Sequence, residues 1–167
     1  ERNEWRLVSF YLENYRSHGD RFDLNWDTKN GIWQVKGQNA VGKTNLLSSI
    51  CYLFYGKTLE TLKRESSGDN RFINNKRDLD FCEAGGIIEI NQHQKIQLTR
   101  RTERKWDRKK EKLTGTPTTL SYNIIDDNGI VTNLTDEEKT KTQKLIEDTL
   151  GTFDDFLRTS LVNADTL

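Results

Sequence analysis

The sequence predicts an α/β fold in which an antiparallel β-region lies beside a strand–loop–helix core. Alternating apolar residues, separated by turn residues, indicate strands near the start of the chain and again between residues 85 and 134. Between these regions the apolar spacing changes to three and four residues, which is typical of a helix. A glycine-containing segment directly precedes that helix, as expected of a tight loop that joins a strand to a helix.

Length and composition favour a single domain and exclude several classes of protein. The chain has 167 residues, 33% of them hydrophobic, and 26 basic side chains balance 26 acidic ones. A neutral chain attracts polyanions only through a local basic surface. No apolar run approaches the ~18 residues of a membrane span, so we expect no membrane contact and a cytoplasmic location. Because methionine is absent, we expect residues 1–167 to be an excerpt of a longer polypeptide.

The first half of the chain contains three predicted strands and one helix. The strands cover residues 5–15, 21–26 and 32–35. The helix covers residues 43–55, where one apolar face is formed by Leu46, Leu47, Ile50, Cys51 and Phe54. Gly56 follows the last apolar residue and is well placed to end the helix in a left-handed conformation.

The second half contains two predicted hairpins and two helices. A polar loop over residues 58–81 precedes a hairpin over residues 85–101. Asn128-Gly129 between two apolar runs indicates a second hairpin. Thr135 and Glu138 have the spacing of a capping box, which predicts a helix that reaches Leu150. Residues 153–162 are expected to form a short helix or a junction between a helix and a strand.

The segment before the first helix matches the phosphate-binding P-loop pattern G-x-x-x-x-G-K-[ST]. The pattern lets successive backbone N–H groups point at phosphate oxygens, and the positive end of the following helix favours an anion there. Lys43 would supply a charge to the β- and γ-phosphates, and the Thr44 hydroxyl would bind Mg²⁺. The sequence therefore predicts a nucleotide site at Gly37, Asn39, Ala40, Val41, Gly42, Lys43 and Thr44.

The sequence offers only a weak candidate for the carboxylate that ATP hydrolysis requires. A P-loop NTPase needs a Walker-B acidic residue at the end of an apolar strand. The only candidates are Asp126 and Asp127, which follow Ile124 and Ile125. Asn128-Gly129 comes directly afterwards and favours a solvated hairpin tip over a catalytic strand end. The chain thus contains a phosphate-binding loop but lacks a convincing second half of an ATPase site.

Two segments give the sequence a resemblance to a known family. Glu13-Asn14-Tyr15-Arg16-Ser17-His18, followed by GQNAVGKTNLLSSICYLFYG, resembles the N-terminal lobe of the SbcC-type double-strand-break repair ATPases, which are SMC-like members of the ABC superfamily. The resemblance is densest over residues 5–56. It implies an ABC-type P-loop ATPase lobe, with the antiparallel β-region beside the P-loop strand–helix core.

The resemblance also implies partners and a division of the site. Walker B and the signature motif would lie in a C-terminal lobe of the same protein, beyond a coiled coil. ATP and Mg²⁺ would be bound between two heads in a homodimer, and hydrolysis would require this complete assembly. ATP-driven closure of the heads would control the access of a nuclease subunit to double-stranded DNA ends.

Individual residues can be carried over from the family pattern. Arg16 and Ser17 match its nucleotide-flanking R-S pair, and Lys43 and Thr44 match its P-loop. Ala40 replaces a usual glycine, which would tighten the loop or lower affinity. The expected Q-loop glutamine is absent, and Asn163 is the nearest amide that could bind Mg²⁺ or its water; a neutral loop residue is the alternative.

A basic run in the second half could contact DNA. Eight basic residues against three acidic ones give residues 100–112 a net charge of +5. Contacts from such a surface to DNA phosphates would make binding strongly salt-dependent, whereas a solvated hairpin extension or helix is the plainer interpretation. The basic residues are Arg100, Arg101, Arg104, Lys105, Arg108, Lys109, Lys110 and Lys112.

Two alternatives to the repair ATPase stay open. The first is another SMC- or RecF-like ATPase, such as a phage-defence enzyme. A long coiled coil after the lobe would favour repair, and a short helical insert would favour defence. The second is a self-contained small P-loop kinase or GTPase, which would need its own Walker B and base-recognition motif.

Overall fold

The fold is taken from a computed structural model that describes residues 3–25, 40–57 and 68–159. In these ranges the chain forms eight strands, three α-helices and one 3₁₀ helix. The strands are β1 (Trp5–Glu13), β2 (Phe22–Asn25), β3 (Phe81–Ile90), β4 (Gln94–Glu103), β5 (Lys105–Asp107), β6 (Lys112–Gly115), β7 (Thr118–Ile125) and β8 (Val131–Asn133). The α-helices are α1 (Ala40–Tyr55), α2 (Lys139–Leu150) and α3 (Phe153–Thr159), and the 3₁₀ helix is Gly68–Phe72.

Six of the strands form one antiparallel sheet in the order β2-β1-β3-β4-β7-β8. Both predicted hairpins are present: β3 turns into β4 through residues 91–93, and β7 turns into β8 at Asp126–Ile130, with Gly129 at φ 78°. The antiparallel β-region is therefore confirmed. The strand predicted over residues 32–35 lies outside the described residues, as does the first part of the predicted loop over residues 58–81.

One face of the sheet packs on helix α1, which contacts both β3 and β4. Phe10, Leu12, Ile88, Ile96 and Leu98 belong to the buried core on this side and are at most 2% exposed. The period of two that predicted the strands is thus a consequence of having one buried face.

Helix α1 is buried on more than the one face that the sequence predicts. All five residues from Cys51 to Tyr55 are buried. The ring centroid of Tyr52 lies 4.8 Å from that of Phe72 in the 3₁₀ helix, whereas the ring centroid of Tyr55 lies 5.7 Å from that of Phe156 in α3. The last turns of α1 are therefore enclosed by several elements, which agrees with the continuous apolar run from Ile50 to Tyr55. The predicted end is confirmed, because Gly56 has φ 64° and its N–H donates to the Tyr52 carbonyl at 2.8 Å.

The predicted capping box at the start of α2 is wrong. Glu138 is the N-cap residue of α2, and its side chain makes no cap hydrogen bond. The Thr135 hydroxyl instead accepts the N–H of Tyr122 at 2.8 Å, because residues 134 and 135 still run beside β7. The helix ends at Leu150 as predicted, and α3 begins at Phe153. In the described part of the chain, no helix has the length and apolar character of a membrane span.

Candidate nucleotide-binding site

Helix α1 carries most of the P-loop motif. The predicted start was Lys43, but the helix begins at Ala40, so Gly42, Lys43 and Thr44 lie in its first turns. Gly37 and Asn39 of the predicted site lie outside the described residues. The helix N-terminus therefore lies within the motif, and at such an end unpaired backbone N–H groups and the helix dipole favour a phosphate.

A short loop after β1 positions the predicted R-S pair. The N–H of Asn14 donates to the Gly19 carbonyl at 2.9 Å and closes the loop, and the N–H of Arg16 donates to the Phe72 carbonyl at 2.9 Å. Arg16 has φ 49° and Asn14 has φ 53°. A left-handed arginine costs on the order of 1 kcal/mol, so this conformation depends on the surrounding contacts. Strain of this kind is often found at functional sites.

The R-S loop, residues 14–19, contacts α1 at Ser48. Nη1 of Arg16 lies 3.4 Å from the Oγ of Ser48, and the hydroxyl of Tyr15 lies 3.2 Å from the same oxygen. Ser48 is 2% exposed and Tyr15 is completely buried. Burial raises the pKa of Tyr15 to about 12, so its hydroxyl stays protonated and able to donate at neutral pH.

This contact brings two predicted parts of the site together. Ser48 follows Thr44 by four residues, and positions i and i+4 lie on the same face of a helix, one turn apart. Ser48, which the Arg16 guanidinium contacts, therefore lies about 6 Å along the helix axis from Thr44. Ser17, which follows Arg16 in the chain, is exposed. These positions are compatible with the predicted nucleotide contacts, which remain predictions, and Asn163 lies outside the described residues.

The candidate Walker-B carboxylates lie at a hairpin tip. Oδ1 of Asp126 accepts the backbone N–H groups of Asn128 and Ile130 at 2.9 and 2.8 Å. Asp126 thus stabilises the β7–β8 turn, and Asp127 lies in the turn itself. This arrangement agrees with the hairpin interpretation of these two residues. Among the described residues, no group of three or more histidine, cysteine or acidic side chains could hold a metal ion.

The structure divides the basic run into a packed part and an exposed part. Arg100, predicted as part of a DNA surface, is 4% exposed and points into the core. Arg104 has an 11% exposed side chain that donates to the Asn70 side chain at 2.7 Å and to the Leu79 carbonyl at 3.2 Å. Neither residue belongs to an exposed basic surface, and this corrects the prediction for both. Arg101 and Lys105 pair with Glu103.

The exposed part is the separate two-stranded hairpin formed by β5 and β6. It carries four exposed basic residues for which the described residues supply no ion pair, and the Trp106 side chain is 48% exposed beside them. The four are Arg108, Lys109, Lys110 and Lys112.

Two residues, Arg100 and Ser48, have roles in the structure that were not predicted from the sequence. The burial of Arg100 could have been predicted, since Ile96 and Leu98 face the core and a period of two places Arg100 on the same face. The contact of Ser48 was harder to predict, because helical spacing places Ser48 on the face of Thr44 but does not indicate which element covers that face.

Comparison with known proteins supports the same fold. The AAA domain family matches residues 9–164, and no curated protein matches the chain significantly in sequence. An SMC ATPase structure, described with ATP-driven dimerization and DNA-stimulated activation of SMC ATPases, has a TM-score of 0.51 at 14% identity over 96% of this chain and 82% of its own. The recombination mediator protein RecF with ATP has a TM-score of 0.48 at 16% identity over 81% of this chain.

The two solved structures differ in the share of their own length that this chain covers. This chain spans 29% of the RecF chain, so the RecF structure contains far more polypeptide than is present here. The likeness to the SMC ATPase structure confirms the predicted α/β fold with an antiparallel β-region.

Proposed function

The chain belongs to the AAA domain family, and on that premise we propose that it is the ATP-binding lobe of an SMC-like DNA repair ATPase. ATP binds at the N-terminus of α1, with Lys43 and Arg16 neutralising phosphate charge and Thr44 holding Mg²⁺. ATP-driven pairing of two heads then regulates a partner nuclease at double-strand breaks. The observation that carries the proposal is the contact of Arg16 with Ser48, because it joins the R-S pair to the P-loop helix.

In this proposal the lobe provides binding and not the complete chemistry. Mg²⁺ bound with ATP would neutralise charge on the phosphates. The chain's own groups orient the phosphates, since the backbone N–H groups at the start of α1 and two cationic side chains act on one end of the nucleotide. The turn position of Asp126 and Asp127 disfavours a self-contained kinase or GTPase. The missing carboxylate is assigned to the C-terminal lobe of the same protein.

ATP hydrolysis by the 167 residues alone tests whether this lobe binds ATP without completing its hydrolysis. We expect weak binding of Mg·ATP by the isolated lobe and almost no hydrolysis, whereas the complete protein hydrolyses ATP. Phosphate release is measured for both under the same conditions. Multiple turnovers by the isolated lobe at the rate of the complete protein would contradict the proposal.

We further assign the DNA contact of this protein to the β5–β6 hairpin. Its four exposed cations without ion partners among the described residues can each neutralise a phosphate, and the remaining positions of the basic run are packed or paired. For duplex DNA, each lost phosphate contact lowers the slope of log affinity against log salt by about 0.9. The double substitution Lys109→Ala/Lys110→Ala should therefore reduce the slope by up to about 1.8.

The matched control is Lys76→Ala/Lys95→Ala, which removes two exposed lysines elsewhere. Lys95 lies eight residues from Glu103 on β4, about 27 Å along the strand from the end that leads to the hairpin. Duplex binding by the complete protein is titrated at several salt concentrations. Equal slopes for the hairpin and control variants would exclude this hairpin as the DNA surface.

A further inference from the structure

Arg100 is a buried charge on the core face of β4. Its alternation with Ile96, Leu98 and Thr102 places it beneath the end of helix α1. Burial lowers the pKa of its guanidinium to about 10, which still leaves the group protonated at neutral pH. The protein therefore keeps a full positive charge in its interior.

The neighbours of Arg100 satisfy two of its three nitrogens but form no ion pair with it. Nε donates to the Leu53 carbonyl at 3.0 Å, and Nη2 donates to the side-chain oxygen of Gln143. Nη1 has no hydrogen-bond partner, and no carboxylate lies within 4.0 Å of Arg100, among the residues that the structure describes. The last carbonyls of α1 contribute roughly half a negative charge. Buried charges are normally paired, because an unpaired one costs several kcal/mol.

A cavity of about 300 Å³ lies over this guanidinium. Arg100 lies in its wall beside Gly56, whereas Lys139 and Lys144 line the cavity from α2 and are exposed. Asp69 and Glu147 also line it, so three positive side chains face two negative ones. Asp69 is already engaged, since it accepts the Thr118 hydroxyl at 2.9 Å. Ligand pockets start at about 300 Å³, so a small ligand fits.

We propose that this cavity binds a small tetrahedral oxyanion, with inorganic phosphate as the type case. The anion accepts from Nη1 of Arg100 and is held on its outer side by Lys139 and Lys144. It supplies the counter-charge that the described residues do not give Arg100. Charge-assisted hydrogen bonds of this kind are about twice as strong as neutral ones.

The cavity is separate from the proposed nucleotide site. The two sites are at opposite ends of α1, whose 16 residues span about 24 Å. The Gln143 side chain, which accepts from Nη2 of Arg100, also donates to the Phe54 carbonyl at 2.9 Å. A bound anion would therefore stabilise the contact of α2 with the C-terminal end of the P-loop helix. Anion binding in this cavity does not depend on the proposed ATPase function.

Calorimetric titration of the complete protein with inorganic phosphate tests the proposal. All proteins carry Lys43→Ala, so that the P-loop contributes as little as possible to phosphate binding. We expect saturable binding that weakens at least about tenfold in the Lys139→Ala/Lys144→Ala variant, which removes two charge-assisted contacts. These lysines are exposed, so their replacement leaves the core intact. The control Lys76→Ala/Lys95→Ala should keep the parent affinity.

The direct test of Arg100 is Arg100→Gln, which removes the charge and should abolish phosphate binding. Because this variant leaves the Leu53 carbonyl without its donor, its folding is checked by circular dichroism, and the lysine pair decides the question if it fails to fold. Absence of phosphate binding in the parent would overturn the proposal. An equal affinity in the lysine-pair and control variants would also overturn it.

Discussion

Nη1 of Arg16 lies 3.4 Å from Oγ of Ser48, across 32 residues of sequence. The contact joins the left-handed loop after β1 to the second half of the P-loop helix. Tyr15 contacts the same oxygen from a completely buried position. The serine thus fixes two neighbouring residues of one loop against one helix face, and the proposed phosphate-binding cation is oriented by the core.

Arg16→Ala should weaken ATP binding more than Ser48→Ala does. A hydrogen bond to a charged group contributes about 1.5–3 kcal/mol and a neutral one about 0.5–1.5 kcal/mol. We therefore expect the dissociation constant to rise roughly 10- to 100-fold for Arg16→Ala and about 2- to 10-fold for Ser48→Ala. Fluorescence titration of the complete protein with an ATP analogue measures both.

The control for Arg16→Ala is Arg21→Ala. The Arg21 side chain is 53% exposed and pairs with Asp23, so this substitution removes a surface arginine outside the proposed site. It should keep the parent affinity for ATP. If Arg16→Ala binds ATP as tightly as Arg21→Ala, Arg16 is not a nucleotide-binding residue.

Arg104→Ala should weaken ATP binding although Arg104 does not touch the proposed site. Its guanidinium holds the segment around Asn70 and Leu79, and the Phe72 carbonyl of that segment accepts the N–H of Arg16. We expect a loss of about 1–3 kcal/mol in the free energy of unfolding, measured by urea denaturation, together with a higher dissociation constant for ATP. Lys105→Ala, at an exposed neighbouring position, is the control. Equal results for the two variants would contradict this role.

The parts of the fold that local patterns decide were predictable from sequence. Asn128-Gly129 predicted its hairpin because the turn chemistry is contained in two residues, and Gly56 predicted the end of α1 for the same reason. Thr135 failed as a cap because its hydroxyl bonds to β7, a contact between elements that local spacing does not reveal. Arg104 was assigned to a surface because a charge run does not indicate which of its members are packed, whereas for Arg100 the period of two along β4 pointed to the core face.

The candidate site was predictable only as a set of positions. The P-loop pattern specified residues 37–44, and the family resemblance added Arg16 and Ser17. That Arg16 meets α1 at Ser48 depends on how the loop after β1 crosses the helix. This crossing is supported by the bridge between Tyr15 and Ile73, which joins distant parts of the sequence.

Gly56→Ala should destabilise the protein more than Gly129→Ala. Both glycines have positive φ, 64° and 78°, so an alanine at either position costs about 1–2 kcal/mol in backbone strain. At Gly56 the added Cβ would lie 2.7 Å from Nη1 of buried Arg100, whereas nothing lies within 4 Å at Gly129. Urea denaturation should show a further loss of at least about 1 kcal/mol for Gly56→Ala. Equal losses would mean that Arg100 moves aside freely.

Alkaline pH should destabilise the protein through its buried thiols. Burial raises the pKa of Cys82 from 9.0 to about 11 and that of Cys51 to about 12. Above about pH 9 the unfolded chain loses these protons first, so the unfolded state binds fewer protons and stability falls as pH rises. The pKa values of Cys82 in the unfolded and folded states set a window between pH 9 and 11. In this window the free energy of unfolding, measured by urea denaturation, should fall less steeply for Cys82→Ala than for the parent. Parallel pH profiles would contradict the shifted pKa.

The affinity for Mg·ATP of the parent and of Lys43→Ala tests the proposed nucleotide site most directly. Lys43 lies in the first turns of α1, where a P-loop lysine reaches the β- and γ-phosphates. Equilibrium titration of the complete protein with a fluorescent ATP analogue compares the two. We predict saturable binding by the parent and its loss in Lys43→Ala. Equal affinity in both proteins would contradict the assignment of the site.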